Sequence, residues 1–223
     1  MVEAREGARV RPTANGAVDA PPAIRAGRPP ATSHAVLERV GFELFARQGF
    51  EATTVDDIAA AVGIGRRTFF RYFVSKNDLV WGDFSSHLSR LRQLLQDADP
   101  GMPMMDALRG AIVEFNRFDP AEVPWHRQRM TLILTVPMLQ ADSTLRYASW
   151  RKIITEFAAT RTGRSPSDML PGLIGHAALG AALAAYDHWL AAPDRDLAEL
   201  LDSSVRHIAE GFAGMDIARA DAG

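Results

Sequence analysis

The sequence predicts an all-α protein, with a small N-terminal three-helix domain followed by a larger helical domain, about nine helices in all. Three observations predict it. Apolar residues recur at helical spacing from Ser33 onward, without convincing strand alternation. Prolines and glycines cut the chain into segments of helix length. Two short amphipathic segments meet at Gly63-Ile64-Gly65, and the second is basic. The expected division is a disordered tail over 1–30, a helix-turn-helix domain over 31–80, a larger domain over 81–215 and a flexible end over 216–223.

Each element has a local reason. The first helix starts at Thr32 or Ser33, both good N-caps, carries Leu37, Val40, Gly41, Leu44 and Phe45 on one stripe, and stops at Gly49. Thr54 caps the second, with Asp57 three residues on as the partner of a capping box and Val55, Ile58, Ala59 and Val62 facing inward. The third spans 66–73, and Ser75 with Asp78 caps the fourth, expected over 76–96. Further helices are expected over 103–118, 122–135, 143–161, 167–191 and 197–212. The helix over 167–191 is dense in small residues (Gly172, Gly175, Ala178, Gly180, Ala182, Ala184), and the last is amphipathic. This pair suits either a helix-bundle interface or an internal core.

The net charge of −2 and pI near 6.3 argue against a protein coated in nucleic acid. The charge is uneven, however: 66–76 holds Arg66, Arg67, Arg71 and Lys76 and no acid. At about 100° per residue, Phe69 and Phe73 share one side of the third helix, while Arg67, Thr68 and Arg71 face away. Arginine's fork matches a guanine edge, and threonine suits several base edges. Lys76 and the Tyr72 hydroxyl are placed to reach phosphates. The face is therefore expected to contact double-stranded DNA rather than only solvent. The tripeptide Gly27-Arg28-Pro29 in the tail is half of a minor-groove hook, or simply a spacer.

The run TVDDIAAAVGIGRRTFFRYFVSKNDL, Thr54 to Leu79, resembles the signature of the TetR family of transcription regulators. The likeness is detailed over about 33–80 and extends beyond only as a helix pattern. It implies a homodimeric repressor on a palindromic operator, released by a small molecule, with the last two helices forming the dimer bundle. It places Thr54, Arg66, Arg67, Thr68, Phe70, Arg71, Tyr72 and Lys76 in the DNA-binding motif. Three positions depart from the family pattern. Gly65 stands where serine is common, Arg67 where a small residue is common, and Phe70 where tyrosine is usual. The stretch Arg66 to Phe84, with its SKNDLVWGDF, further resembles regulators associated with mycofactocin-type redox peptide clusters.

The middle helices carry Trp81, Phe84, Phe115, Trp125, Met130, Leu134, Tyr147, Trp150 and Phe157, which read as plain core or as the lining of an effector cavity. Arg127 and Arg129 beside Trp125 read first as solvated arginines, and alternatively as a clamp for an acidic head such as that of an acyl-CoA. The candidate pocket is thus Phe84, Phe115, Trp125, Arg127, Arg129, Met130, Leu134 and Trp150.

Cysteine is absent, which excludes disulfides, thiolate metal sites and cysteine nucleophiles. No nucleophile elbow, zinc-protease or phosphate-loop motif occurs, and His176 and His188 lie about 120° apart on their helix, so no cofactor, metal or enzymatic activity is expected. The first thirty residues lack the apolar core of a signal peptide. The apolar segment 170–192 is broken by Pro171, His176, Asp187 and His188, and its uncharged part falls short of the roughly 20 residues a bilayer needs. A soluble, cytoplasmic protein is expected. The competing readings are a small-molecule-binding helical protein and an all-α hydrolase, neither binding specific DNA.

Overall fold

A computed structural model describes residues 32–211, which fall within one compact unit. The expected N-terminal tail with Gly27-Arg28-Pro29, the end of the last helix at Phe212 and the expected C-terminal tail lie outside these residues. Among the described residues there are ten α-helices and no strand.

The first four build the small N-terminal bundle. Helix α1 (His34–Gln48) is capped by the Ser33 hydroxyl, which accepts from the Val36 amide at 3.3 Å, and it stops at Gly49 with φ 86°. Helix α2 (Val55–Ala61) has the expected capping box: Asp57 N donates to Thr54 Oγ1 at 3.1 Å, and Thr54 N donates to Asp57 Oδ2 at 2.8 Å. Such a cap contributes about 1 kcal/mol. Helix α3 (Arg66–Phe69) is shorter than the predicted 66–73. The chain past Phe69 continues as a turn, yet Tyr72 N and Phe73 N still donate to the Phe69 carbonyl, so the side-chain directions survive. Phe69 and Phe73 are buried with Leu37, Phe42, Ile58 and Leu79. Helix α4 (Lys76–Trp81) crosses α1 so closely that a Cβ on Gly41 would lie 2.8 Å from Leu79 Cδ2.

The predicted helix over 76–96 is in fact two. Gly82, at φ 59°, ends α4, and the Asp83 carboxylate caps α5 (Phe84–Gln96) by accepting from the Ser86 amide at 3.1 Å. Glycine followed by aspartate is a stop signal and a start signal side by side. A continuous apolar pattern through Trp81 and Phe84 masks it.

Helices α6 (Met104–Phe115) and α7 (Val123–Thr135) follow, and α8 (Pro137–Thr162) begins six residues before the predicted 143. Pro137 occupies the first turn, where a missing N–H costs nothing, so it starts a helix instead of ending one. Helix α9 (Met169–Ala191) lies tight against α8: a Cβ on Gly175 would sit 2.5 Å from Thr155 Oγ1. Its 23 residues are long and apolar enough, by length and composition, to cross a membrane, which the count of uncharged residues had missed. Ile174, Ala178, Ala181, Ala185 and Trp189 nevertheless pack in the protein core. Helix α10 (Leu197–Gly211) closes the bundle through Leu197, Leu201 and Val205.

Candidate DNA-reading face and effector cavity

The outward side of α3 is set by the burial of Phe69 and Phe73. Arg67 and Arg71 are exposed, and neither side chain makes a hydrogen bond or ion pair with the described residues. Thr68 is half-buried and Phe70 exposed. Arg66 is less free: its Nη1 pairs with Asp56 Oδ2 at 2.8 Å, and its guanidinium lies 5.3 Å over the Phe70 ring.

Three other candidate contacts are committed to the protein itself. The Thr54 hydroxyl serves its capping box, donating to Asp57 Oδ2 at 2.7 Å. The Tyr72 hydroxyl, expected to reach a phosphate, donates to the Thr32 carbonyl at 2.6 Å and ties the end of the reading element to the start of α1. Lys76 differs from expectation in the same way. Its ammonium donates to the carbonyls of Phe50 at 2.6 Å and Thr53 at 2.7 Å and sits 4.2 Å over the Phe50 ring. Burial lowers its pKa, with Glu51 opposing. Tyr72 thus ties the turn after α3 to the start of α1, and Lys76 ties α4 to the α1–α2 loop. Lys76 could not be assigned these partners from sequence, because they lie more than 20 residues upstream.

Behind this motif, α4 to α9 enclose a cavity of about 120 Å³. Of the candidate pocket residues, Phe84, Phe115, Arg129, Met130 and Trp150 line it. Three candidate pocket residues do not. Trp125 lines an adjoining outer groove and meets Phe42 edge-on at 6.1 Å. Arg127 turns away to stack 4.0 Å from the Trp189 ring and donate to the Trp189 carbonyl at 2.5 Å. Leu134 packs elsewhere against the core. The reason is helical register: the inward stripe of α7 is His126, Arg129, Met130 and Ile133, at i, i+3, i+4 and i+7. That stripe was legible, and it would have excluded Arg127.

The cavity wall holds a hydrogen-bond chain that the sequence reading missed. Asn116 Nδ2 donates to the Ile112 carbonyl at 2.8 Å, which leaves its Oδ1 to accept the Tyr186 hydroxyl at 2.6 Å. The single Tyr186 proton is thereby used, so His126 Nε2, 2.7 Å away, must be the donor to the phenol oxygen. His126 is then the neutral Nε2–H tautomer. Burial, reinforced by the Arg129 and His87 charges, pushes its pKa down to about 3, and Phe118 stacks on its ring at 3.8 Å. Burial also holds the Tyr186 hydroxyl protonated. Beside this satisfied chain, Trp81 Nε1 and Arg129 Nε are buried donors without a hydrogen-bond acceptor among the described residues, and the buried Tyr147 hydroxyl has only Ser143 near it. All three residues line this cavity. Unsatisfied buried donors are uncommon, and their grouping around one mostly apolar space suits a ligand that brings an oxygen acceptor.

The comparisons with known proteins agree with this geometry. Residues 39–80 match the N-terminal domain of the bacterial regulatory proteins of the tetR family, and residues 102–213 match the family described as the MftR C-terminal domain. The chain is 45% identical over 188 residues to MftR of Mycobacterium tuberculosis, named for transcriptional regulation of mycofactocin biosynthesis, covering 84% of this chain and 95% of that one. It is 30% identical over 133 residues to the helix-turn-helix regulator TcmR of Streptomyces glaucescens, covering 57% and 59%. Solved structures share the fold. A TetR-family regulator of Syntrophomonas wolfei superposes with a TM-score of 0.62 at 13% identity, over 81% of this chain and 95% of that one. Thermus thermophilus FadR, solved with lauroyl-CoA, gives 0.54 at 23% identity, over 80% and 94%. The chain belongs to the TetR family of bacterial transcriptional regulators, with a C-terminal domain of the MftR type.

Proposed function

We propose that the protein is a homodimeric, ligand-responsive repressor that acts in the cytoplasm by binding a palindromic operator and not by catalysis. The observation that carries this reading is the pair Arg67 and Arg71, one on a short helix and one on the turn after it, both exposed and without a side-chain partner among the described residues, while Tyr72 and Lys76 are engaged by the protein itself. Guanidinium groups held ready on a rigid, capped motif suit guanine edges in a major groove. The domain boundary near residue 80 is read at Trp81, which closes the small bundle and lines the cavity. The likeness to MftR makes mycofactocin biosynthesis genes the first candidates for control.

Dimerisation is assigned to α9 and α10. Leu173, His176, Gly180 and Ala184 form an exposed stripe of α9 at i+3 and i+4 spacing, with small residues that let a second helix approach. The effector is read as an apolar or acyl-type molecule: the cavity is built of aromatic and aliphatic side chains, and the FadR relative binds lauroyl-CoA. Release of the operator requires tighter binding of the ligand to the DNA-incompetent arrangement.

A mobility-shift titration with DNA upstream of the gene, followed by acyl-CoAs of increasing chain length, tests this reading. A retarded complex that dissolves more readily with longer chains is expected. No shift with any upstream or mycofactocin-cluster DNA would overturn it.

A further inference from the structure

Arg129 occupies an unusual position. Among the described residues it is the one arginine or lysine that lines both the apolar cavity and the outer groove beside α1, a groove of about 520 Å³. Its Nη2 pairs with Glu38 Oε2 at 2.6 Å, and both side chains are mostly withdrawn from solvent, at 24% and 22% exposure. The rest of the guanidinium lies 5.4 Å over the Phe42 ring, while Nε is buried and has no acceptor among the described residues. The pairing is therefore half complete: a guanidinium able to hold a carboxylate through two parallel N–H groups holds this one through a single edge. Glu122 also lines the outer groove, but among the described residues the one ion pair of Arg129 is with Glu38. His87 and His126 are pushed toward their neutral forms by burial and by Arg129 itself.

Glu38 is on α1, at the α4–α5 break. A Cβ on Gly82 would lie 3.2 Å from Glu38 Oε1, so the carboxylate rests directly on that junction. Beside it Gln128 Nε2 donates to the Phe42 carbonyl of α1 at 3.1 Å. The contact between α1 and α7 thus joins one ion pair and one hydrogen bond to the edge-on packing of Trp125 against Phe42.

We propose that Glu38 is an internal stand-in for the effector's acidic group, and that a carboxylate ligand takes Arg129 from it. This deepens the reading of the cavity as an effector site and rests on it. An apolar tail fills the cavity, the carboxylate engages Arg129 through Nε and Nη2, and the like charge of Glu38 is expelled. Glu38 then leaves both Arg129 and the Gly82 junction, which frees α1 to move against α4 and α7. Because α4 carries Lys76, the staple of the α1–α2 loop, the displacement reaches the element that presents Arg67 and Arg71.

The test compares two probes with the same tail, dodecanoate and dodecanol, kept below micelle-forming concentrations and followed by calorimetry on the full chain. Glu38→Gln removes the competing charge and keeps a polar contact to Arg129. It is expected to tighten dodecanoate about 10-fold or more and leave dodecanol unchanged. Glu38→Asp, with a shorter reach, should give a smaller gain in the same direction. Arg129→Gln should abolish the preference of dodecanoate over dodecanol. Equal dodecanoate affinity in Glu38→Gln and the parent chain, with dodecanol still bound, would overturn the competition and leave the cavity reading standing. An equal gain for both probes would also overturn it, as general loosening. Binding of neither probe to any variant would remove the cavity reading and this inference together.

Discussion

Arg146 on α8 joins Asp78 on α4 to the cavity wall: Nη2 lies 2.9 Å from Asp78 Oδ1, and the guanidinium sits 5.0 Å from the Trp81 ring and 5.9 Å from the Phe84 ring. Asp78 also accepts the Val74 amide, so one carboxylate bridges the loop after the reading helix and a side chain packed on two cavity residues. Arg146→Ala is expected to destabilise the protein by about 1–3 kcal/mol, between the values for exposed and buried pairs. It should also weaken operator release at saturating effector. Chemical denaturation and a release titration check the two effects separately.

Arg67→Ala and Arg71→Ala should each weaken specific operator binding by about 1–3 kcal/mol and relax preference at one base position, without changing the melting temperature. Competition binding against operators randomised one position at a time reads this out. Losses that are equal on every sequence would mean that the arginines contact only phosphates.

Lys76→Ala should act through stability. It leaves the Phe50 and Thr53 carbonyls without their donor, at a cost of about 1–3 kcal/mol. The salt dependence of the DNA affinity of the folded variant should stay close to that of the parent. A salt slope lower by about one unit, with unchanged stability, would return Lys76 to the role of phosphate contact.

Substitutions on α9 should separate by face. Ala184→Trp, on the exposed stripe, should break the dimer and abolish operator binding together. Ala182 is only 7% exposed and lines the cavity, so Ala182→Trp should fill that space and block effector binding. Analytical ultracentrifugation and ligand titration of the two variants distinguish these outcomes. A monomeric parent that still held the operator tightly would sink the dimer reading.

Stability should fall as the pH drops below about 6.5. The folded-state pKa of His126 is near 3 against an ordinary 6.5, so the unfolded chain binds one proton more throughout that window. His87 is shifted in the same direction. The His126 contribution should reach about 1–2 kcal/mol by pH 5, at 1.36 kcal/mol per pH unit for each proton. Urea denaturation at pH 7 and pH 5 should show a smaller difference in His126→Gln than in the parent.

Short-range chemistry made much of the fold legible in the sequence. The Ser33, Thr54 and Ser75 caps each act three residues ahead, and Gly49 stops its helix from within one turn. The burial of Phe69 and Phe73 and the exposure of Arg67 and Arg71 follow from helical period alone. The break at Gly82 was equally local, but an apolar pattern running across it disguised two helices as one.

The sequence by itself determined the starts of α1, α2 and α4, the outward arginines and the family, because those depend on residues a few positions apart. Only the tertiary structure decided where the long cations go. Lys76 turns back to Phe50 and Thr53, Arg127 leaves the cavity for Trp189, and Arg129 meets Glu38 from 91 positions away. A flexible charged side chain takes the nearest acceptor that packing brings within about 3 Å. The helix crossings that supply that acceptor are set by the whole core, not by the periodicity of any one helix.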